Sequence, residues 1–249
     1  MPHKKLIERL LAIGNLSNNE QAALAGLPYT VSNLANGDIA VHQGRQSSGC
    51  TVVMAGFLSR QRVISDRNQI SAFYVPGDIP DLHTLHLPMM DHDLCSTGPS
   101  TVAYVSHAAI RQVLRDFPGL TYAFWGETVV HEAIYREWVE NLGARQALPR
   151  VAHLICEMAT RLRQVGLARE GRIELPFTQA DIADACGLSI VHVNRTIQEL
   201  RRRGLLEWEG KAVNLLVQDN LELLAEFDRR YLRCTHRPNS SVLDSSTTI

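Results

Sequence analysis

Leu175-Pro-Phe-Thr-Gln-Ala-Asp-Ile-Ala-Asp-Ala-Cys-Gly-Leu-Ser-Ile-Val-His-Val-Asn-Arg-Thr-Ile-Gln-Glu-Leu-Arg-Arg-Arg-Gly-Leu205 is the stretch whose reading decides the fold. Thr178 is a good N-cap, and Asp181 three residues on completes a capping-box-like start. Ala180, Ile182 and Ala183 keep the first helix slim, so a second helix can approach it closely. Gly187 permits the left-handed conformation a tight turn needs, and Ser189 caps the next helix. Two helices joined by a short turn containing glycine form a helix-turn-helix.

On a wheel of about 100° per residue, Val193, Ile197 and Leu200 of the second helix converge on one buried face. Val191, Arg195, Gln198 and Arg202 point away, with His192 and Asn194 on the shoulders. Hydrogen-bonding side chains near a helix N-terminus are what a recognition helix offers to base edges. Arg195 can pair with both acceptors of guanine, and Asn194 or His192 can bond a base edge or a phosphate. Arg201, Arg202 and Arg203 suit backbone phosphates. Leu205–Glu209 and Ala212–Val217 flank a Gly210-Lys211 turn and read as a two-stranded wing. The candidate DNA contacts are Thr178, Gln179, Ser189, His192, Asn194, Arg195, Gln198, Arg201, Arg202 and Lys211.

Upstream, Leu148, Val151, Ala152, Ile155, Ala159 and Leu162 mark a helix. Before it, Leu120 to Leu142 contains no proline and no glycine but Gly126. Leu120, Phe124, Tyr135, Trp138 and Leu142 recur there at helical steps, with His131 near the same stripe. A helix so long with an aromatic stripe is expected to pack against a partner, with His131 at that interface and Trp125 and Trp138 as packing residues. Residues 30–105 read differently. Valine, threonine and isoleucine cluster between the turns Asn36-Gly37-Asp38, Gln43-Gly44, Ala55-Gly56 and Pro76-Gly77-Asp78, giving strands near Thr51–Met54, Leu58–Ile64, Ile70–Val75 and Thr101–Val105. Regular turn spacing of this kind indicates a barrel or roll. Ser106 caps a short helix, His107 to Asp116, stopped at Phe117-Pro118.

At 249 residues, 45% of them apolar and 20% charged, the chain has the bulk of an ordinary globular protein of two domains. It holds no uncharged apolar run of spanning length and no apolar core behind Lys4, Lys5, Glu8 and Arg9, so neither membrane nor secretion is expected. Cys50, Cys95, Cys156, Cys186 and Cys234 are odd in number and far apart, which excludes CxxC metal spacing and points to reduced thiols and a cytoplasmic protein. Cys186, in the turn between the two helices, reads as core. Net charge is −1, with ten Lys/Arg against thirteen Asp/Glu up to Leu142 and fifteen against thirteen beyond, so the second part is the one to face phosphates.

Thr178-Gln-Ala-Asp-Ile-Ala, Gly187-Leu-Ser, Val193-Asn-Arg195, Leu200 and Gly204-Leu-Leu together resemble the helix-turn-helix signature of the CRP/FNR transcription regulators. Gly37-Asp38, Gly44, Gly56-Phe-Leu and Tyr74-Val-Pro-Gly77-Asp78 resemble turns of that family's cyclic-nucleotide-binding roll, so the likeness runs over nearly the whole chain. It implies an α+β protein: an N-terminal double-stranded, jelly-roll-like β-roll sensor (1–117), a long dimerisation helix (118–145), a winged helix-turn-helix (146–235) and a disordered tail (236–249). It implies a homodimer on a pseudo-palindromic operator in duplex DNA, contact with RNA polymerase, and Arg195 as base reader. Ile190 and Val191 occupy a position often Arg or Glu in the family, so the operator is expected to differ from the best-known consensus.

The effector pocket is where this chain departs from the family. Cyclic-AMP binders hold the cyclic phosphate with an Arg-Ser pair, and those places fall here on Met90 and Asp91, which cannot neutralise a phosphate. The candidate pocket residues are Gly77, Asp78, Leu82, Met90 and Asp91. The cofactor is unknown: cyclic AMP is not expected, nor is an iron–sulfur cluster, for want of a cysteine cluster. His83, His86 and His92, among Asp81, Asp91 and Asp93, read first as polar loop residues and no metal is assigned, yet they are the candidates if zinc, iron or haem is held. Two other readings stay open: a metal-dependent enzyme on a cupin-like barrel using these histidines, and an effector-independent interaction scaffold. The enzyme reading does not account for residues 175–217.

Overall fold

The computed structural model describes residues 3–169 and 171–233. The tail expected to be disordered and Cys234 lie outside the described residues. The fold is mixed α and β: an N-terminal roll, a long helix, and a C-terminal helix-turn-helix. Two short helices that were not expected come first, α1 (Lys4–Ile13) and α2 (Asn18–Ala25). α2 opens with a complete capping box between Ser17 and Glu20, and α1 buries Leu6 and Leu10 together with the charged Arg9.

The roll comprises β1 (Thr30–Leu34), β2 (Ile39–Val41), β3 (Gly49–Ala55), β4 (Leu58–Ile64), β5 (Arg67–Tyr74), a 3-10 turn at Leu82–Leu85, β6 (Asp93–Ser96) and β7 (Ser100–Ser106). All pairings are antiparallel, in two sheets ordered β1-β7-β3 and β2-β6-β4-β5. Inward-facing Val53, Leu58, Tyr74, Met90, Leu94 and Val102 form one buried cluster in the roll. The turn after β5 needs its glycine. Gly77 sits at φ +103, and a Cβ there would lie 2.6 Å from the Lys5 carbonyl oxygen of α1. Asp78 closes the same turn by accepting from the Val75 N–H at 2.8 Å.

Ser106 caps α3 (His107–Asp116) as expected, accepting from the Ala109 N–H. Pro118 then opens α4 (Pro118–Gly143), whose 26 residues span about 39 Å. α5 (Ala147–Gln164) follows, then β8 (Arg172–Glu174), α6 (Gln179–Cys186), α7 (Ile190–Arg202), β9 (Leu206–Glu209), β10 (Ala212–Leu215), α8 (Gln218–Ala225) and a 3-10 turn at Arg229–Leu232. The wing is three-stranded, not two-stranded: β8 pairs with β10, in the order β8-β10-β9. The missing strand was invisible because three residues show no alternation long enough to read.

The roll and the C-terminal helix-turn-helix share a single hydrophobic cluster. Phe177, just before α6, stacks on Phe73 of β5 at 4.0 Å between ring centroids and meets Phe57 edge-on at 5.2 Å. Beside it, the Gln69 amide donates to the Asp184 carbonyl at 2.7 Å and the Asn68 amide to the Asp184 carboxylate at 2.9 Å. The β4–β5 hairpin is thus docked on α6. No described helix is long and apolar enough to cross a membrane.

Candidate nucleic-acid interface and roll cavity

Local chemistry builds the helix-turn-helix as its sequence requires. Thr178 accepts from the Asp181 N–H while Asp181 accepts from the Thr178 N–H, both halves of the capping box. Gly187 takes the left-handed conformation at φ 61, ψ 37, and Ser189 caps α7 by accepting from the His192 N–H. Val193, Thr196, Ile197 and Leu200 are buried beneath α7, and Cys186 is buried in the turn. All ten candidate contact residues, from Thr178 to Lys211, are exposed. Asn194 donates to Gln179 at 3.3 Å, which draws the start of α6 beside the outward face of α7. Lys211 stands at the wing tip next to Gly210.

The arginines are not equivalent. Glu199 accepts from Arg202 at 2.8 Å through two nitrogens and from Arg203 at 2.7 Å, and these bonds hold its carboxyl down at about 2. Arg195 and Arg201 have no ion-pair partner among the described residues. The reading from sequence passed over Glu199, though its i, i+3 and i, i+4 spacing to Arg202 and Arg203 carries the signal.

α4 presents two apolar faces. Leu120, Phe124, Val130, Ile134 and Trp138 are covered by the chain itself. Tyr122, Trp125, Val129 and Val139 lie on the other side, with Trp125 64% exposed. The stripe expected to meet a partner is therefore turned inward for the most part, and Trp125 is not a core residue. His131 is also displaced from its expected place: it stacks on Tyr74 of the roll at 5.4 Å and bonds Glu127 at 2.9 Å.

Between the roll and α4 lies a cavity of about 360 Å³, lined by Arg60, Tyr74, Leu82, His83, Asp91 and His92 on one side and by Glu127, His131 and Tyr135 on the other. Of the five candidate pocket residues, Leu82 and Asp91 line it. Met90 is sealed in the roll cluster, its N–H bound to the Arg45 carbonyl at 3.0 Å. Gly77 faces α1, and Asp78 belongs to an ion network described below. The Arg60 guanidinium lies 5.9 Å from the ring centroids of Tyr74 and Tyr135. Burial, aided by Arg60, pushes His92 down to about 4 and His83 below its ordinary value, so both are neutral imidazoles at pH 7. His86 is exposed and stands apart.

Residues 149–227 match the family model described as the Crp-like helix-turn-helix domain. Transcriptional activator protein FnrL of Cereibacter sphaeroides is 24% identical over 216 residues, covering 84% of either chain. Nitrogen fixation regulation protein FixK of Bradyrhizobium diazoefficiens is 28% identical over 175 residues, 70% of this chain and 72% of that one. The chain carries a Crp-like helix-turn-helix domain and is similar over most of its length to transcription regulators of the CRP/FNR type. FixK2 from Bradyrhizobium japonicum shares the fold, with a TM-score of 0.72 at 24% identity over 80% of this chain and 98% of that one. The relatives named are transcription regulators, which leaves the cupin-like enzyme reading of His83, His86 and His92 without support.

What sequence reasoning missed is a buried polar network between the roll and the C-terminal helices. Asp78 accepts from Arg161 of α5 at 2.6 Å and lies 3.6 Å from Arg9 of α1 and 3.8 Å from His131 of α4. Arg9 donates to Glu127 at 3.0 Å, and Arg161 donates to Glu157 at 3.1 Å. Glu157 also accepts from Trp138 at 3.0 Å and from the Tyr231 hydroxyl at 2.9 Å. Burial alone would raise Glu127, yet Arg9 and His131 overcome it and hold the carboxyl below its usual range. These partners stand as much as 118 residues apart, and no spacing rule joins them.

Proposed function

We propose that the protein binds a pseudo-palindromic operator as a homodimer, each protomer laying α7 in a major groove with Arg195 on a guanine. The observation that carries this reading is the outward face of α7: Arg195, Asn194, His192 and Gln198 are exposed together over a fully buried Val193–Ile197–Leu200 seam. Gln179, Thr178 and Ser189 flank that face where phosphates would run, and Arg201, Arg202 and Lys211 extend the basic track toward the wing. The exposed Tyr122–Trp125–Val129–Val139 row of α4 supports the homodimer, because a monomer would leave these apolar groups in water. Division of labour follows the architecture: roll as sensor, α4 as dimer helix, and residues from about Gln146 onward as DNA module. By family, the bound dimer meets RNA polymerase.

The roll cavity takes a small effector other than cyclic AMP. The two places where cyclic-AMP binders carry their phosphate ligands hold a thioether turned into the roll and an exposed carboxylate.

The test begins with an operator obtained by in vitro selection, expected to show two half-sites centred about 34 Å apart. Arg195→Ala should weaken that complex by about 1–3 kcal/mol in gel shift while leaving binding to unrelated duplex nearly unchanged. Trp125→Glu should yield monomers by sedimentation and lose the operator. Wild-type affinity in Arg195→Ala, with its fold intact, refutes the assignment of the reader.

A further inference from the structure

We propose that His83, His92 and Asp91 form a binding site for a divalent first-row transition-metal ion in the wall of the roll cavity. The inference deepens the effector reading above, and its test is independent of DNA.

Two orphaned nitrogens carry the argument. His83 Nε2 and His92 Nε2 are both buried and have no hydrogen-bond partner among the described residues. The His92 side chain is 3% exposed, so water does not reach it freely. Buried polar atoms left without a partner are rare, and each calls for an explanation such as a bound water or an ion. Here two such atoms belong to rings whose centroids are 5.7 Å apart. His83, His92 and Asp91 each offer a ligand atom, and all three atoms lie within 4.8 Å of one another. Tetrahedral zinc holds nitrogen and oxygen ligands at about 2.0–2.2 Å, so modest side-chain rotation closes the set. Asp91 bonds Nδ1 of His92, which leaves Nε2 of His92 unpaired, and ligating an ion there requires the Asp91 carboxylate to turn away from Nδ1.

The scaffold beneath is rigid. His83 rides on the 3-10 turn Leu82–Leu85, whose flank is pinned by buried Asp81, which accepts from the Thr51 N–H at 2.7 Å and its hydroxyl at 2.8 Å. Thr84 of the same turn is tied to His107 at 2.9 Å. On the other side, Met90 is held in the roll by backbone bonds to Gly44 and Arg45, which fixes the entry to Asp91 and His92. A donor set of two imidazoles and one carboxylate suits zinc, iron(II), cobalt or nickel better than magnesium or calcium. All three residues line the cavity, so coordination positions left over by the protein are open to a small ligand. Arg60 lines the same cavity and its charge opposes the ion. His86, exposed, takes no part.

The experiment uses the full-length protein, stripped with chelator and titrated with cobalt(II) and zinc(II). Expected are one ion per chain by calorimetry and visible d–d bands for cobalt. His83→Ala and His92→Gln should lose at least tenfold in affinity, Asp91→Asn about tenfold, and His86→Ala nothing. Arg60→Gln should bind more tightly. Proton NMR of the wild-type cobalt form needs no variant and should show two hyperfine-shifted imidazole systems. Absence of those signals, sub-stoichiometric binding, or full affinity in the His83→Ala/His92→Gln double variant overturns the site. Failure of the wild-type protein to select any operator, with metal binding intact, would refute the DNA reading and leave this one standing.

Discussion

The face of α7 and the network around Asp78 are both polar, yet they are built on opposite physical terms. On α7 the polar groups are in water, supplied by one contiguous run of sequence, and bonded to near neighbours such as Gln179 and Glu199. Around Asp78 they are dry, drawn from α1, α4, α5 and a turn of the roll, and paired by charge with one another, although Asp78 Oδ1, Arg9 Nη2 and Arg161 Nε take no hydrogen bond among the described residues. Removing a side chain from the first should alter what the protein binds. Removing one from the second should alter whether it folds. A surface meant for a partner keeps its hydrogen-bonding capacity unspent, whereas an interior charge persists only when its neighbours complete it.

The sharpest way to break this contrast is Asp78→Ala. It leaves buried Arg9 and Arg161 with one carboxylate each, Glu127 and Glu157, and should cost about 3–5 kcal/mol, read as a lower urea midpoint. A loss under about 1 kcal/mol would mean that the charges are not dry, and the comparison would fail. Acid probes the same network. Glu127 has a folded-state pKa below its ordinary value of 4.5, so its contribution is complete above that pH and is lost as pH falls toward the folded value. Denaturation midpoints at pH 7, 5, 4 and 3 should therefore fall more steeply for wild type than for Glu127→Gln. Thr178→Ala should cost about 1 kcal/mol of stability through the lost cap of α6. Arg195→Ala, the smallest effect on folding, should leave the midpoint unchanged although operator affinity drops.

The same contrast explains what was legible in the sequence. Caps, the Gly187 turn and the α7 seam are set by residues each within four positions of the next, so a linear reading finds them. The roll was legible through its turns, and β4 was found at its observed bounds, Leu58–Ile64. The network was not, because the Arg161–Asp78 bond joins residues 83 apart and neither residue type announces burial. α4 failed for a different reason. Both of its faces carry large apolar groups, and periodicity cannot tell which face the chain covers with its own roll and which it leaves bare. Met90 was assigned by counting along the chain, and the count could not show that its side chain turns into the roll.

The seating of Phe177 on Phe73, with Asp184 clasped by Asn68 and Gln69, bears on how any signal must travel. To swing α7 toward a new pair of grooves, the molecule must either carry the β4–β5 hairpin along or uncover two stacked rings and surrender both amide bonds. That sets a threshold in free energy, since a ligand shifts a conformational balance only by the difference in its affinity for the two arrangements. An occupant of the roll that cannot tell docked from undocked by that margin will bind silently.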